Sequence, residues 1–135
     1  MSDSDVAPTE EIERRRLLAD RVRAELRRAG LPAHDAFRDA RTGGAAVGVD
    51  SGNDMIGGVF IDWRPAPALT DAVVAAAQAG EFESAAARQS LEISVAMSSA
   101  IIAILRAAGL HAEAGLNDLS PDTVFVESPD ARGTA

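Results

Sequence analysis

Ser84–Ala108, SAAARQSLEISVAMSSAIIAILRAA, is the stretch on which the reading of this chain turns. Ser84 is a good helix N-cap, because its hydroxyl accepts from a backbone N–H of the first turn. Three alanines, the strongest helix formers, follow it. No Pro or Gly intervenes before Gly109, which stands where a helix end favours a left-handed residue. Arg106 in the last turn suits the negative end of the helix dipole. The spacing predicts a long central helix over 84–108.

Its apolar residues spread around most of the circumference at about 100° per residue. Leu91, Val95, Ile102 and Leu105 share one side. Ile93, Met97, Ala100 and Ile104 share another, with Ile101 between the two. The polar stripe is narrow: Arg88, Glu92, Ser99 and Arg106. A helix apolar on most sides needs partners on most sides. A sheet, another helix of the chain or a second copy would each serve. The most apolar part, Val95–Leu105, falls short of the roughly 20 apolar residues a bilayer crossing needs, so no membrane partner is expected.

Outward from this helix, the chain reads as one domain. Residues 1–8 are expected to form a disordered tail. Thr9 is placed to cap a helix over 10–29, with Glu10, Glu11 and Glu13 at its start and Arg27 and Arg28 at its end. Ile12, Leu18, Ala19, Val22, Leu26 and Ala29 form its apolar stripe, which Arg15 interrupts. Gly30-Leu31-Pro32 is a stop signal. The segment 31–44 is read as a short helix or an irregular plug around Phe37. Residues 45–50 and 58–64 read as a hairpin around DSGNDMIG, and Pro65 ends the second strand. Leu69–Ala79 is a short alanine-rich helix, 110–114 a possible short strand and 123–127 a better one. Residues 128–135 form a second tail, leaving 9–127 as the domain. No internal repeat is expected.

The fold class that follows is α+β. A small antiparallel or mixed sheet of three to four strands, built from the hairpin 45–64 and the strand 123–127, packs on helices 84–108 and 10–29. Few strands and one other long helix leave part of the central helix in need of a partner.

Composition narrows the function. The 135 residues contain no cysteine, which excludes disulfides, thiol catalysis and cysteine-ligated metals. The N-terminus is acidic and polar, unlike a signal peptide, so a cytoplasmic setting is expected. Every basic residue is arginine, as in the proteins of GC-rich bacteria. The net charge of −8 argues against nucleic acid, whose phosphates call for cations.

The search for chemistry returns little. Asp50 and Asp54 in the DSGND turn lack the ligand spacing and closing Glu of a calcium loop. His34 and His111 sit in no nucleophile or metal motif. Ser90, Ser94, Ser98 and Ser99 lie mid-helix, where serine bonds back to a carbonyl or lets a neighbour approach. There is no GxSxG elbow and no phosphate loop. No cofactor is expected, and no catalytic residue is assigned.

The expected function is therefore a small non-catalytic protein–protein interaction or adaptor protein, homodimeric. Its candidate surface combines Arg14, Arg21 and Arg28 on one helix flank, Phe60 on the outward face of its strand, and Ile93, Met97, Ala100 and Ile104 on the central helix. One alternative is an acidic inhibitor or immunity-type protein that covers a basic enzyme with Asp50, Asp54, Asp62, Asp118 and Asp122. The other is a small-molecule-binding protein or enzyme, with a pocket walled by Trp63, Phe60 and His111.

Overall fold

The computed structural model describes residues 7–38, 41–52, 58–116 and 118–127. The order of elements is α1 (Thr9–Arg28), β1 (Ala33–Asp35), β2 (Gly44–Val49), β3 (Val59–Arg64), α2 (Pro67–Gln78), α3 (Ala85–Ala107), β4 (His111–Glu113) and β5 (Val124–Glu127). The strands make one mixed sheet in the order β1-β2-β3-β5-β4, and the class is α+β. The sheet has five strands where the sequence predicted three to four. The unforeseen strand is β1, within the segment read as a short helix or plug. Three residues are too few for a period of two to show.

Alternation sorts the sheet into two faces. Ala45, Val47 and Val49 lie opposite Trp63, Ile61 and Val59, and β5 brings Val124 and Val126 to the same side. This inner face meets Leu18, Ala19, Val22 and Leu26 of α1 and Ile101 and Leu105 of α3, forming the core. Each large aliphatic side chain buried there contributes about 1.5–3 kcal/mol. α1 lies over β1 and β2, and α3 lies over β3, β4 and β5. The parallel connection from β1 to β2 brings Phe37 edge-on to Phe60 on the outer face, with centroids 6.0 Å apart. There Arg64 also donates to the carbonyl of Ala36 at 2.7 Å.

The two helices that cover the sheet end in the same way. Leu26-Arg27-Arg28-Ala29-Gly30-Leu31-Pro32-Ala33 and Leu105-Arg106-Ala107-Ala108-Gly109-Leu110-His111-Ala112 share Leu-Arg-x-Ala-Gly-Leu-x-Ala. The expectation of no internal repeat is thereby corrected. Both glycines have positive φ, and the following leucines donate back to Leu26 and Leu105 at 3.0 Å. These are Schellman-type caps, in which glycine avoids the penalty a Cβ would incur.

The shared arginine has a shared task. Arg27 donates from Nε and Nη2 to the carbonyl of Ala33 at 3.1 and 2.6 Å. Arg106 donates from Nε to the carbonyl of Ala112 at 3.1 Å. β1 and β4 are the two edges of the sheet, so each edge has a carbonyl held by an arginine from the helix before it. An open edge is a template for another strand, and charge placed on it discourages that pairing. The two edge strands run in opposite directions.

Arg15 does not merely interrupt the stripe of α1. It is buried, 7% exposed, and Nη1 donates to the carbonyls of Asp50 and Gly52 at 2.6 and 2.7 Å. Nε pairs with Glu11 at 3.2 Å. A Cβ on Gly58 would come within 2.3 Å of Arg15 Cγ, so the glycine makes room for this side chain. The helix begins one residue earlier than predicted: Thr9 is helical and Pro8 holds the cap position without a side-chain bond. Along the helix Glu11–Arg14, Glu13–Arg16 and Asp20–Arg23 pair at three-residue spacing, and Glu11–Arg15 at four. Ala7, assigned to the tail by the sequence, is buried, and its N–H donates to the carbonyl of Ser51 at 3.0 Å. Residues 1–6, 53–57 and 128–135 lie outside the described residues, and with them most of both expected tails.

Two outcomes test these contacts. Arg15→Met leaves two carbonyls without their donor and is expected to destabilise the fold by about 2–4 kcal/mol in urea unfolding. Replacing both edge arginines, R27A with R106A, is expected to raise concentration-dependent aggregation, followed by light scattering, above that of wild type.

Candidate interaction surface

α3 is built as predicted at its start, where Ser84 Oγ accepts from the N–H of Ala87 at 3.1 Å. Its two halves differ. In the C-terminal half, Ser98, Ile101 and Leu105 are buried on the sheet. Ile102 and Ile104 pack against the same core from either side. The seam therefore runs through Ile101, between the two sides distinguished in the sequence. In the N-terminal half no residue is buried. There α3 packs against α2, which also contains no buried residue.

The consequence is a set of exposed apolar side chains on these neighbouring elements. Leu91 and Val95 on α3 are 58% and 48% exposed, Val74 on α2 48%, and Phe82 in the link between the helices 75%. Leu119, at 93%, projects beside them from the turn before β5. The alanines of α3 extend its apolar character further than Val95–Leu105. By length and hydropathy alone it is long and apolar enough to cross a membrane, with mean hydropathy 1.5 in its most apolar window. Only 17% of that window is buried, whereas a core helix of this composition would be mostly covered.

Beneath this surface runs an open groove of about 430 Å³. Ala87, Ser90, Leu91 and Ser94 of α3 face Trp63 of β3 and the turn Leu119–Thr123 across it. Ser90 and Ser94 lie along the line of α3 that, farther on, carries Ile101 and Leu105. The sheet-facing line thus turns polar where the sheet no longer supports it. Asp62 and Asp122 border the groove, and Thr123 Oγ1 donates to the Asp62 carboxylate.

The residues singled out from sequence fall in separate places. Arg14, Arg21 and Arg28 are exposed on α1. Arg14 pairs with Glu11 at 2.8 Å, and Arg21 reaches the end of α3, donating to the carbonyl of Ala108 at 2.9 Å. Phe60 is half-buried under Phe37 on the outer face, away from the helices. Ile93, Met97, Ala100 and Ile104 are half-buried along one flank of α3. The more exposed flank is that of Leu91 and Val95. The sequence separated the two flanks but held no signal for which of them the fold would cover.

The other candidate sites do not assemble in this form. Trp63 lines the groove, whereas Phe60 and His111 do not. Of the acidic set, Asp62 and Asp122 share the groove. Asp50 turns into its own loop, accepting from the N–H of Gly52 at 2.8 Å, and Asp54 lies outside the described residues. His34 Nε2 bonds the carbonyl of Gly43 at 2.8 Å, and His111 lies 3.6 Å from Glu113. Among the described residues no three His, Asp or Glu side chains group as metal ligands. In comparisons with known proteins, the chain matches no family model, no curated protein and no solved structure.

Proposed function

We propose that the protein is a small, non-catalytic protein–protein interaction module that pairs with a second copy of itself through the α2–α3 surface. The observation that carries this reading is that no residue is fully buried in the N-terminal half of α3 or in α2. Helices of about 12 residues are marginal in water without tertiary packing. α2 has 12 residues and packs on α3, so covering its outer side would stabilise it. Covering Leu91, Val95, Val74 and Phe82 removes apolar surface from water, at about 25 cal/mol per Å². The many alanines of both helices allow close approach. Ile101 and Leu105 sit wholly within the sheet core, so a bilayer crossing by α3 would have to pull them out. That favours a protein partner over a membrane. The net charge of −8 likewise disfavours nucleic acid.

Light scattering coupled to size-exclusion chromatography tests the reading. At about 100 μM the wild-type chain is expected to run as a dimer, since micromolar affinity suffices for pairing at that concentration. Leu91→Glu and Val95→Glu are expected to give folded monomers with unchanged circular dichroism. Ile104→Glu, by contrast, places a charge against the core and is expected to cost about 3 kcal/mol or more of fold stability. A wild-type monomer at that concentration would overturn the proposal.

A further inference from the structure

We infer that the two copies pair about a two-fold axis beside α3, with the α3 helices antiparallel and Arg88 of each copy against Glu92 of the other. This rests on the proposal that α2–α3 is the contact surface. It adds the register and the charges that set it.

Arg88 and Glu92 are both exposed, one turn apart, on the side of α3 that also carries Leu91 and Val95. They stand four residues apart, yet among the described residues Glu92 forms no ion pair. Arg88 instead donates from Nη1 to the carbonyl of Glu83 at 3.0 Å. The order matters here: a basic residue N-terminal to an acidic one is the less favourable arrangement within a helix. The two charges are thus displayed side by side without neutralising each other.

A two-fold axis suits such a pair. In an isologous contact each residue meets its counterpart with the order reversed. An axis at the level of residue 90 puts Arg88 level with Glu92 of the second copy, and Glu92 level with its Arg88. Two ion pairs follow from one symmetric contact. In the same register the two Leu91 residues lie within about 3 Å of each other along the helix axis, at 1.5 Å rise per residue. Val95 comes level with the start of the other α3, where Phe82 stands exposed. A parallel arrangement would set Arg88 against Arg88 and Glu92 against Glu92. Both sheet edges carry arginine-held carbonyls, so strand pairing between copies is the less accessible route to a dimer.

Charge reversal supplies the test. R88E alone sets Glu against Glu at both contacts, and E92R alone sets Arg against Arg. Each is expected to weaken self-association on the order of tenfold in sedimentation equilibrium. Mixed together, the two variants restore opposite charges at both contacts. The expected result is a heterodimer of near wild-type affinity, detected by native mass spectrometry with one variant isotope-labelled. Circular dichroism of each variant reports that the fold is retained. If the wild type dimerises and Leu91→Glu disrupts it, while R88E and E92R associate normally and mix at random, the register is overturned and the docking surface stands. If the wild type is monomeric, both are overturned.

Discussion

α3 is longer than the sheet it rests on. Its 23 residues span about 35 Å, while strands of three to six residues run about 10–20 Å. A helix of that length cannot be covered along its whole course by so small a sheet. One half is therefore held and the other overhangs. The held half supplies Ile101 and Leu105 to the core. The overhanging half has α2 beside it and the groove beneath it.

Much of the remaining architecture keeps this arrangement in place. The Schellman cap at Gly109 turns the chain back into β4, and Arg106 fastens the edge strand to the end of the helix. Arg21 of α1 holds the same helix end from the other side. The matching cap and arginine at the end of α1 anchor the opposite edge. Two short edge strands would otherwise be weak points of a five-stranded sheet. A buried guanidinium, Arg15, ties α1 to the turn leaving β2 by satisfying two backbone carbonyls. The stable part of the molecule is thus stitched by arginines with named acceptors. The α2–α3 arm has the packing of α2 on α3 and the cap of Ser84.

That division bears on function. Segments with few buried contacts open easily, and they are the segments from which binding surfaces are drawn. An apolar patch that the other described residues leave uncovered is informative in a way that a scattered exposed leucine is not. Here Leu91, Val95, Val74 and Phe82 are contributed by neighbouring elements. Arg88 and Glu92 border the same patch with opposite charge, which gives a contact built on it a direction.

By itself the sequence determined the long helix, its cap at Ser84, the stop at Gly109, the hairpin strands and the α+β class. Each of these is set by neighbours within a few residues, through propensity, capping and alternation. It also carried the repeated Leu-Arg-x-Ala-Gly-Leu-x-Ala, which becomes meaningful only once the two arginines are seen on the two sheet edges. The tertiary structure alone decided which flank of α3 is covered. Both flanks are apolar, and burial depends on where the sheet ends beneath the helix. The role of Arg15 was equally hidden, because its acceptors lie more than thirty residues away. β1 was too short to show a period. The surface proposed for docking was legible as excess apolar character, but its position, on the overhanging half and toward Leu91 and Val95, follows from the mismatch in length between one helix and five short strands.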